Sequence, residues 1–251
     1  MTAMTPTRRF DTIALDELVA TASLQHRIDR KYAMPAADAD VLLDLLPATT
    51  RILEVDGLLS QPYVSHYFDT PELTSYLGAA RRRPRRFKVR TRQYCSGDTF
   101  AEVKVRKGAH TLKTRTPIDS FGTLVLPEAT HDFVVDSLAA GRVSGVDPVH
   151  LTPTLTTRYE RVTLLLPSGA RVTIDRGLSW ALLDGTTVAQ PGLAIVETKT
   201  PSAASEADRL AWSIGRRPTR FSKYATGLAA LRPDLPDHPW LRPLNTWFRD
   251  N

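Results

Sequence analysis

The sequence predicts an α+β protein in which roughly eight antiparallel strands close into a β-barrel flanked by helices. Three observations lead there. Short segments alternate basic and apolar residues with the period of a strand, most clearly in Arg86-Phe-Lys88-Val-Arg90-Thr-Arg92. Successive segments of this kind are separated by Ser-Gly, Gly and Pro-Gly turns, the punctuation of antiparallel neighbours. The basic residues also recur on one parity along most of the chain. A flat sheet would then expose a self-repelling cationic face, whereas closure removes its edges and leaves a lumen able to hold one ligand.

From Phe10 to about Ser23, the spacing of Ile13, Leu15, Leu18 and Val19 predicts a short amphipathic helix. The strand Arg27-Ile-Asp29-Arg-Lys31-Tyr32 places Arg27, Asp29 and Lys31 on one face. Pro35 then opens a helix through Val41, Leu42, Leu45 and Leu46, which Pro47 stops. Ser65-His-Tyr-Phe68 reads as a strand. Asp69-Thr70-Pro71-Glu72 reads as a helix start, with a capping carboxylate, a first-turn proline and an acid near the positive helix end, and the helix runs to about Gly78.

Three antiparallel strands follow as a meander, Arg86 to Tyr94, Thr99 to Arg106 and Thr111 to Ile118, with turns at Ser96-Gly97-Asp98 and Gly108. A helix over Pro127 to Ala140, with Phe133, Val134 and Leu138 on its apolar side, ends before Gly141. Strands resume at Thr154 to Leu166 and Arg171 to Leu178 around Pro167-Ser-Gly169, and at Leu193 to Thr200 after Pro191-Gly192. Helices are expected from Ser205 to Ile214 and from Ser222 to Leu231, and the Pro-rich stretch from Pro233 onward reads as a surface extension. The expected division is a helical extension over 1–25, a barrel domain over 26–232 and a tail over 233–251.

Of the 251 residues, 42% are hydrophobic, enough for a substantial core, and the formal charge of +6 favours an anionic partner without naming it. The placement of charge is sharper than its sum. The charged parity collects Arg27, Lys31, Arg86, Lys88, Arg90, Arg92, Lys104, Arg106, Lys113, Arg115, Arg161, Arg171 and Lys199, thirteen bases, against four acids, Asp29, Glu102, Asp175 and Glu197. Thirteen less four is a net nine positive charges on one face, more than the whole chain carries.

Other chemistries are poorly served. The single cysteine, Cys95, rules out an intrachain disulfide and a thiolate metal cluster, and it has no evident base to activate it. The six histidines lack zinc-ligand spacing, and neither a Walker-type loop nor a Gly-x-Ser-x-Gly elbow occurs. Few aromatics share the charged parity, which speaks against stacking on single-stranded nucleic acid. The N-terminus lacks the apolar run of a secretory signal, and no segment approaches the about 20 apolar residues of a membrane span. The expectation is a cytoplasmic protein without a membrane segment.

An ordered series of motifs now stands out: Asp29-Arg-Lys31-Tyr32, Tyr67-Phe-Asp-Thr-Pro-Glu-Leu73, Phe87-Lys-Val-Arg-Thr-Arg92, Glu102-Val-Lys104, Lys113-Thr-Arg115, Tyr159-Glu-Arg161, Arg171-Val-Thr-Ile-Asp175, Glu197-Thr-Lys199 and Phe221-Ser-Lys-Tyr224. The series resembles the VTC domain, the catalytic domain of the vacuolar transporter chaperone polyphosphate polymerase and a branch of the triphosphate tunnel metalloenzyme (CYTH-like) superfamily. The similarity runs from about Arg27 to Leu231. It implies a closed tunnel barrel with a metal-assisted phosphoryl-transfer site inside.

By the same resemblance Lys31, Arg90, Arg92, Lys104, Lys113, Arg161 and Arg171 bind nucleotide and chain phosphates, with Arg suited to bidentate contacts and Lys acting as a point charge. Glu197 is implied as the ligand of Mn²⁺ or Mg²⁺, hard cations that prefer carboxylate and phosphate oxygens; the other reading is an ion pair with Lys199. Arg115, Tyr159, Lys199, Arg220, Ser222 and Lys223 are implied substrate contacts. The helix start at Ser222 offers free N–H groups to an anion, while the serine also reads as a simple cap and Tyr159 equally as core. Glu102 and Asp175 either assist the metal or orient bases. The run Arg81-Arg-Arg-Pro-Arg-Arg86 is either a solvated basic patch or a guiding rim.

One departure from the superfamily bears on function. Its hydrolytic members begin with a Glu-x-Glu-x-Lys strand, where this chain has Arg27-Ile-Asp29-Arg-Lys31. Arginine in place of the first acid favours the polymerase branch. The chain also lacks the phosphate-sensing domain and membrane helices of the eukaryotic complex, so a stand-alone soluble form is expected. The expected activity is transfer of the γ-phosphoryl of ATP to inorganic polyphosphate with release of ADP. A triphosphate hydrolase of the same fold stays open, as does a non-catalytic polyphosphate- or nucleic-acid-binding module driven by counterion release.

Overall fold

The computed structural model describes residues 9–21, 28–108, 110–119, 121–122, 124–201 and 203–249. Arg27, the first base of the charged parity, lies outside them. In chain order the elements are β1 (Asp11–Ile13), α1 (Leu15–Thr21), β2 (Ile28–Pro35), α2 (Ala36–Leu45), β3 (Arg51–Leu53), β4 (Gln61–Asp69), α3 (Thr74–Ala80), β5 (Arg85–Gln93), β6 (Thr99–Lys107) and β7 (His110–Pro117). They continue with α4 (His131–Ala140), β8 (Thr152–Leu165), β9 (Arg171–Ala181), β10 (Thr187–Gln190), β11 (Leu193–Thr200), α5 (Glu206–Ser213), α6 (Lys223–Leu231) and α7 (Leu241–Leu244). The chain is therefore α+β, as expected.

The strands join in the hydrogen-bonded order β2-β11-β9-β8-β4-β5-β6-β7, with β1, β3 and β10 attached beside this path. Pairing is antiparallel wherever a register is described, apart from the short parallel pair β1–β3. Among the described residues the path has two ends, so closure of the expected barrel is not confirmed. The terminal strand β7 shows why a further strand does not add there. It carries His110, Lys113, Arg115 and Pro117 and has no buried residue, the charged and proline-bearing character that blunts a sheet edge.

Two compact units make up the chain, the first from residues 1–62, 159–178 and 190–221, the second from 63–158, 179–189 and 222–251. In the first, the apolar parity of β2, β9 and β11 supplies Tyr32, Met34, Val172, Ile174, Ala194 and Val196, which pack with Leu42 and Leu43 of α2 and Ala207 and Ala211 of α5. Helix α2 begins directly after Pro35 and ends two residues before Pro47, the boundaries the two prolines predict. Helix α5 starts with a capping box: Ser205 Oγ accepts from the Asp208 backbone N–H, and the Ser205 N–H donates to the Asp208 carboxylate. Asp208 is fully buried and also accepts from the Tyr32 hydroxyl (2.6 Å) and the Thr198 hydroxyl (2.7 Å), which pins α5 to β2 and β11.

In the second unit β5, β6 and β7 form the predicted meander, with Arg90 opposite Glu102 and Glu102 opposite Arg115. Their apolar parity, Phe87, Val89, Val103 and Val105, packs with Phe68 and with Val134 and Leu138 of α4. Gly141 ends α4 where no other residue fits, because a Cβ there would stand 2.0 Å from Val105 Cγ1. The stretch after Pro233 is not the expected surface extension: Trp240 and Leu244 are buried, and the Tyr76 hydroxyl donates to the Pro236 carbonyl.

Candidate functional site

Strand alternation in the second unit leaves the basic parity on the face opposite the α4-covered core. Across β5 and β6, Lys88 stands opposite Lys104 and Arg86 opposite Arg106; across β6 and β7, Lys104 stands opposite Lys113. Like charges directly opposite one another destabilise a sheet, so this face retains an unfavourable arrangement that an anion would relieve.

One acid sits among these bases. Glu102, 2% exposed, accepts at Oε2 from Arg90 Nε (2.8 Å) and Arg90 Nη2, and at Oε1 from the Tyr94 hydroxyl (2.8 Å) and Lys113 Nζ (2.9 Å). Four donors fill its acceptor sites. Burial alone would raise its pKa, but Arg90, Lys113 and Arg92 outweigh burial and hold the carboxyl well below the usual range. Glu102 therefore orients bases, one of its two expected roles. Burial pushes Lys113 down to about 8, with Glu102 opposing and Arg90 reinforcing the shift, although 44% of its side chain stays open.

The remaining contacts fix the guanidinium groups. Arg90 Nη1 donates to the Tyr67 hydroxyl (3.0 Å), and Arg92 Nε donates to Ser65 Oγ (3.0 Å) while the group lies over the Tyr63 ring. Burial would raise the Tyr67 phenol, yet the charges of Arg90, Arg92 and Lys223 prevail and lower its pKa. Tyr67 stacks on Tyr224, whose hydroxyl donates to Asp69 at 2.6 Å. Asp69 in turn accepts the backbone N–H groups of Ser75 and Tyr76, so it caps α3 from a distance, and the helix starts at Thr74 rather than at Thr70 as expected. Ser222 Oγ accepts from the Ala225 N–H, as the cap of α6, and from Lys88 Nζ at 2.7 Å. Lys104 is exposed at its cross-strand position, and Arg115 lies over the Phe100 ring at 4.6 Å.

The first unit carries a second cluster. Lys31 of β2 pairs across to Glu197 of β11, and Lys199 stands between Asp29 and Arg171. Glu197 Oε1 is 3.2 Å from Lys199 Nζ, and Oε2 is 4.0 Å from Lys31 Nζ. Arg161 of β8 makes a bidentate bond to the buried Asp175 of β9, Nε–Oδ1 2.6 Å and Nη2–Oδ2 2.8 Å, and lies over the Tyr159 ring. Asp175 thus orients a base. Burial lowers Lys199 to about 8, with Glu197 resisting and Arg161 adding to the shift. This is a cation group built around one carboxylate that stays partly open, Glu197.

Sequence parity placed these bases, and within each unit the structure gathers them. Lys31, Tyr159, Arg161, Arg171, Glu197 and Lys199 share the first cluster, and Arg90, Arg92, Lys104, Lys113, Arg115, Ser222 and Lys223 the second strand face and its helix start. Arg220 is exposed and makes no hydrogen bond or ion pair to a described residue. The sequence reading missed Ser65, Tyr67 and Tyr94 as partners of the bases. Tyr67 and Ser65 stand opposite Arg90 and Arg92 in the β4–β5 register, and that register was the missing signal. A cavity of about 610 Å³ lined by Thr70, Pro71, Glu72, Gly145, Val146, Asp147 and His150 contains none of the expected site residues.

Among the described residues no helix is long and apolar enough to cross a membrane, and no group of three His, Cys, Asp or Glu side chains could enclose a metal ion. Curated proteins give no match to the chain. Among solved structures, a candidate adenylate cyclase from Bacillus halodurans is 13% identical over 78% of this chain and 94% of its own, with a TM-score of 0.48. A candidate adenylyl cyclase from Hippeastrum, described as having a dominant triphosphatase activity, is 16% identical over 80% of this chain and 94% of its own, with a TM-score of 0.45. The family model for the VTC domain matches residues 26–232, which takes in every base of the charged parity. The chain belongs to the VTC domain family.

Proposed function

We propose that this protein is a metal-dependent polyphosphate polymerase that transfers the γ-phosphoryl group of ATP to inorganic polyphosphate and releases ADP. The observation that carries the reading is the basic parity of β5, β6 and β7, where lysines and arginines oppose one another across the strands in a VTC-family chain. Phosphoryl transfer requires phosphates held in line and neutralisation of developing charge more than covalent help from protein. A terminal oxygen of the polyphosphate attacks the γ-phosphorus, the bond to the β–γ bridging oxygen breaks, and the electron pair leaves with ADP. No water is consumed.

Arg90 and Arg92 are held by Glu102, Tyr67 and Ser65, so they meet phosphate oxygens without first being ordered. Lys104, Lys113 and Arg115 add charge beside them, and Ser222 and Lys223 bring the start of α6. In the other unit Lys31, Arg161, Arg171 and Lys199 neutralise phosphate around Glu197, with Tyr159 shaping the position of Arg161. Arg220 is assigned a looser, solvent-side contact.

Glu197 fits a divalent cation of the Mg²⁺ or Mn²⁺ kind. It offers one carboxylate, 15% exposed and flanked by two lysines, and such ions are commonly held by one or two carboxylates with substrate phosphates as further ligands. When bound, the cation would neutralise charge on the transferring phosphoryl group. In its absence the same carboxylate is the counter-charge of Lys31 and Lys199.

Incubation with ATP and Mn²⁺ or Mg²⁺, with products resolved by chain length, is expected to give long polyphosphate and ADP. Orthophosphate as the only phosphate product would replace the polymerase with a hydrolase, and tight polyphosphate binding without turnover would replace it with a binding module. Glu197→Gln is expected to lower metal-dependent turnover about a hundredfold or more, the scale of losing one charge-stabilising group. Full metal-dependent turnover in that variant would remove the metal assignment.

A further inference from the structure

The basic character of β5 does not stop at the residues assigned above. On the cationic face of β5, Arg92 is buried while Arg90, Lys88 and Arg86 are half-buried, so the strand carries its cations from an enclosed end toward a more open one. From Arg92 to Arg86 is six residues, about 20 Å of extended chain. That is longer than the triphosphate of a nucleotide.

At the open end the bases multiply. The chain leaves α3 through Arg81, Arg82 and Arg83, and the N–H of Gly108, in the β6–β7 turn, donates to the carbonyl of Pro84, which brings that turn beside the run. Arg86 then stands opposite Arg106 on the face of Arg90 and Arg92, and Arg85 opposite Lys107 on the other side of the same strand end. Arg81, Arg82, Arg83, Arg85, Arg106 and Lys107 are exposed, and none of them forms an ion pair with a described residue. Like charges opposed across the strands at this end again raise the folding cost, a cost that a bound polyanion would lower.

We propose that this strand end is a docking surface for the body of a long inorganic polyphosphate chain, continuous along β5 with the Arg90–Arg92 site. The inference rests on the polyphosphate reading given above. Polyphosphate suits the surface better than single-stranded nucleic acid does, because no exposed aromatic ring lies within residues 78–86 or 104–109 to stack a base. A flexible chain of repeating charge needs no fixed geometry, and arginines at the exit of a helix and in a turn provide none.

The test compares binding of a polyphosphate of about a hundred units, inorganic triphosphate and single-stranded DNA of similar total charge, at several salt concentrations. The variant joins Arg81→Gln, Arg82→Asn and Arg83→Gln, with asparagine at position 82 because Arg82 has φ 53°, a region asparagine tolerates. The long chain is expected to bind about tenfold more weakly, with its salt slope reduced by about 2 for the three lost charges, while triphosphate affinity changes less than about twofold. A second variant, Arg106→Gln with Lys107→Gln, reaches the surface from β6 and should show the same selectivity. Unchanged long-chain affinity in both variants, or equal loss for triphosphate, overturns the proposal. Stronger wild-type binding of DNA than of polyphosphate overturns it as well. If the wild type binds neither triphosphate nor polyphosphate, the polymerase reading itself falls, whereas selective failure of the variants leaves that reading standing.

Discussion

Glu102 holds Arg90 by two donors and Lys113 by a third, so replacing it removes both a buried charge and the geometry of its neighbours. Glu102→Gln is expected to destabilise the fold by about 3–5 kcal/mol, the scale for breaking a buried ion pair. A thermal melt checks this. Added polyphosphate should recover more stability in the variant than in the wild type, because it returns negative charge to the same bases; a variant as stable as the wild type would contradict the hub role.

Lys113 gives a pH signature. Its ammonium is charged below about 8 and neutral above it, so the site loses one positive charge as pH rises through that value. Triphosphate affinity measured by calorimetry should fall roughly tenfold between pH 7 and pH 9.5, the worth of one charge-assisted contact. Lys113→Arg should flatten that profile, since guanidinium stays charged throughout. At this scale the sequence revealed the bases but not all the groups that orient them: a period of two puts Arg90 and Arg92 on one face, while Tyr67 and Ser65 join them only through strand register.

Helix α6 shows how an element presents its residues. Its Gly227 faces Trp180, and a Cβ there would fall 2.1 Å from Trp180 Cδ1, while Trp180 Nε1 donates to the Lys223 carbonyl at 2.8 Å. Gly227→Ala is therefore expected to lower stability by about 1–3 kcal/mol despite the better helix propensity of alanine, because it overpacks this contact. A urea titration measures it, and a stabilised variant would refute the close packing. Ser222→Ala removes the α6 cap and the acceptor of Lys88, and should cost about 1 kcal/mol.

The elements that carry a clear internal signal were legible in the sequence. The meander alternates with period two, α2 lies between two prolines, and Ser205 and Ser222 begin their helices. Others were not. The first predicted helix begins later because Asp11–Ile13 pairs with Arg51–Leu53, two three-residue strands too short to show periodicity. The four-residue β10 escaped for the same reason. Helix α3 starts four residues after Thr70 because its cap, Asp69, acts across an intervening turn.

For the whole chain, the net charge of +6 understates the asymmetry that matters, since the charged parity of the strands collects thirteen bases against four acids. Barrel closure was the expectation that the described residues do not confirm. Counting strands and noting a self-repelling face cannot decide whether the two end strands pair, and the strand order ends at β2 and at the charged edge β7. The cationic faces exist without closure, and in each unit helices cover the apolar parity instead.

The central claim is that these faces serve phosphoryl transfer to a polymer rather than to water. Its most direct measurement follows ATP labelled in the γ-phosphate, with Mn²⁺ or Mg²⁺, and compares ADP formed with label recovered in chains longer than ten phosphates. The account predicts about one labelled phosphate in polymer for each ADP, from the earliest time points. Label appearing only as orthophosphate, in step with ADP, would contradict it.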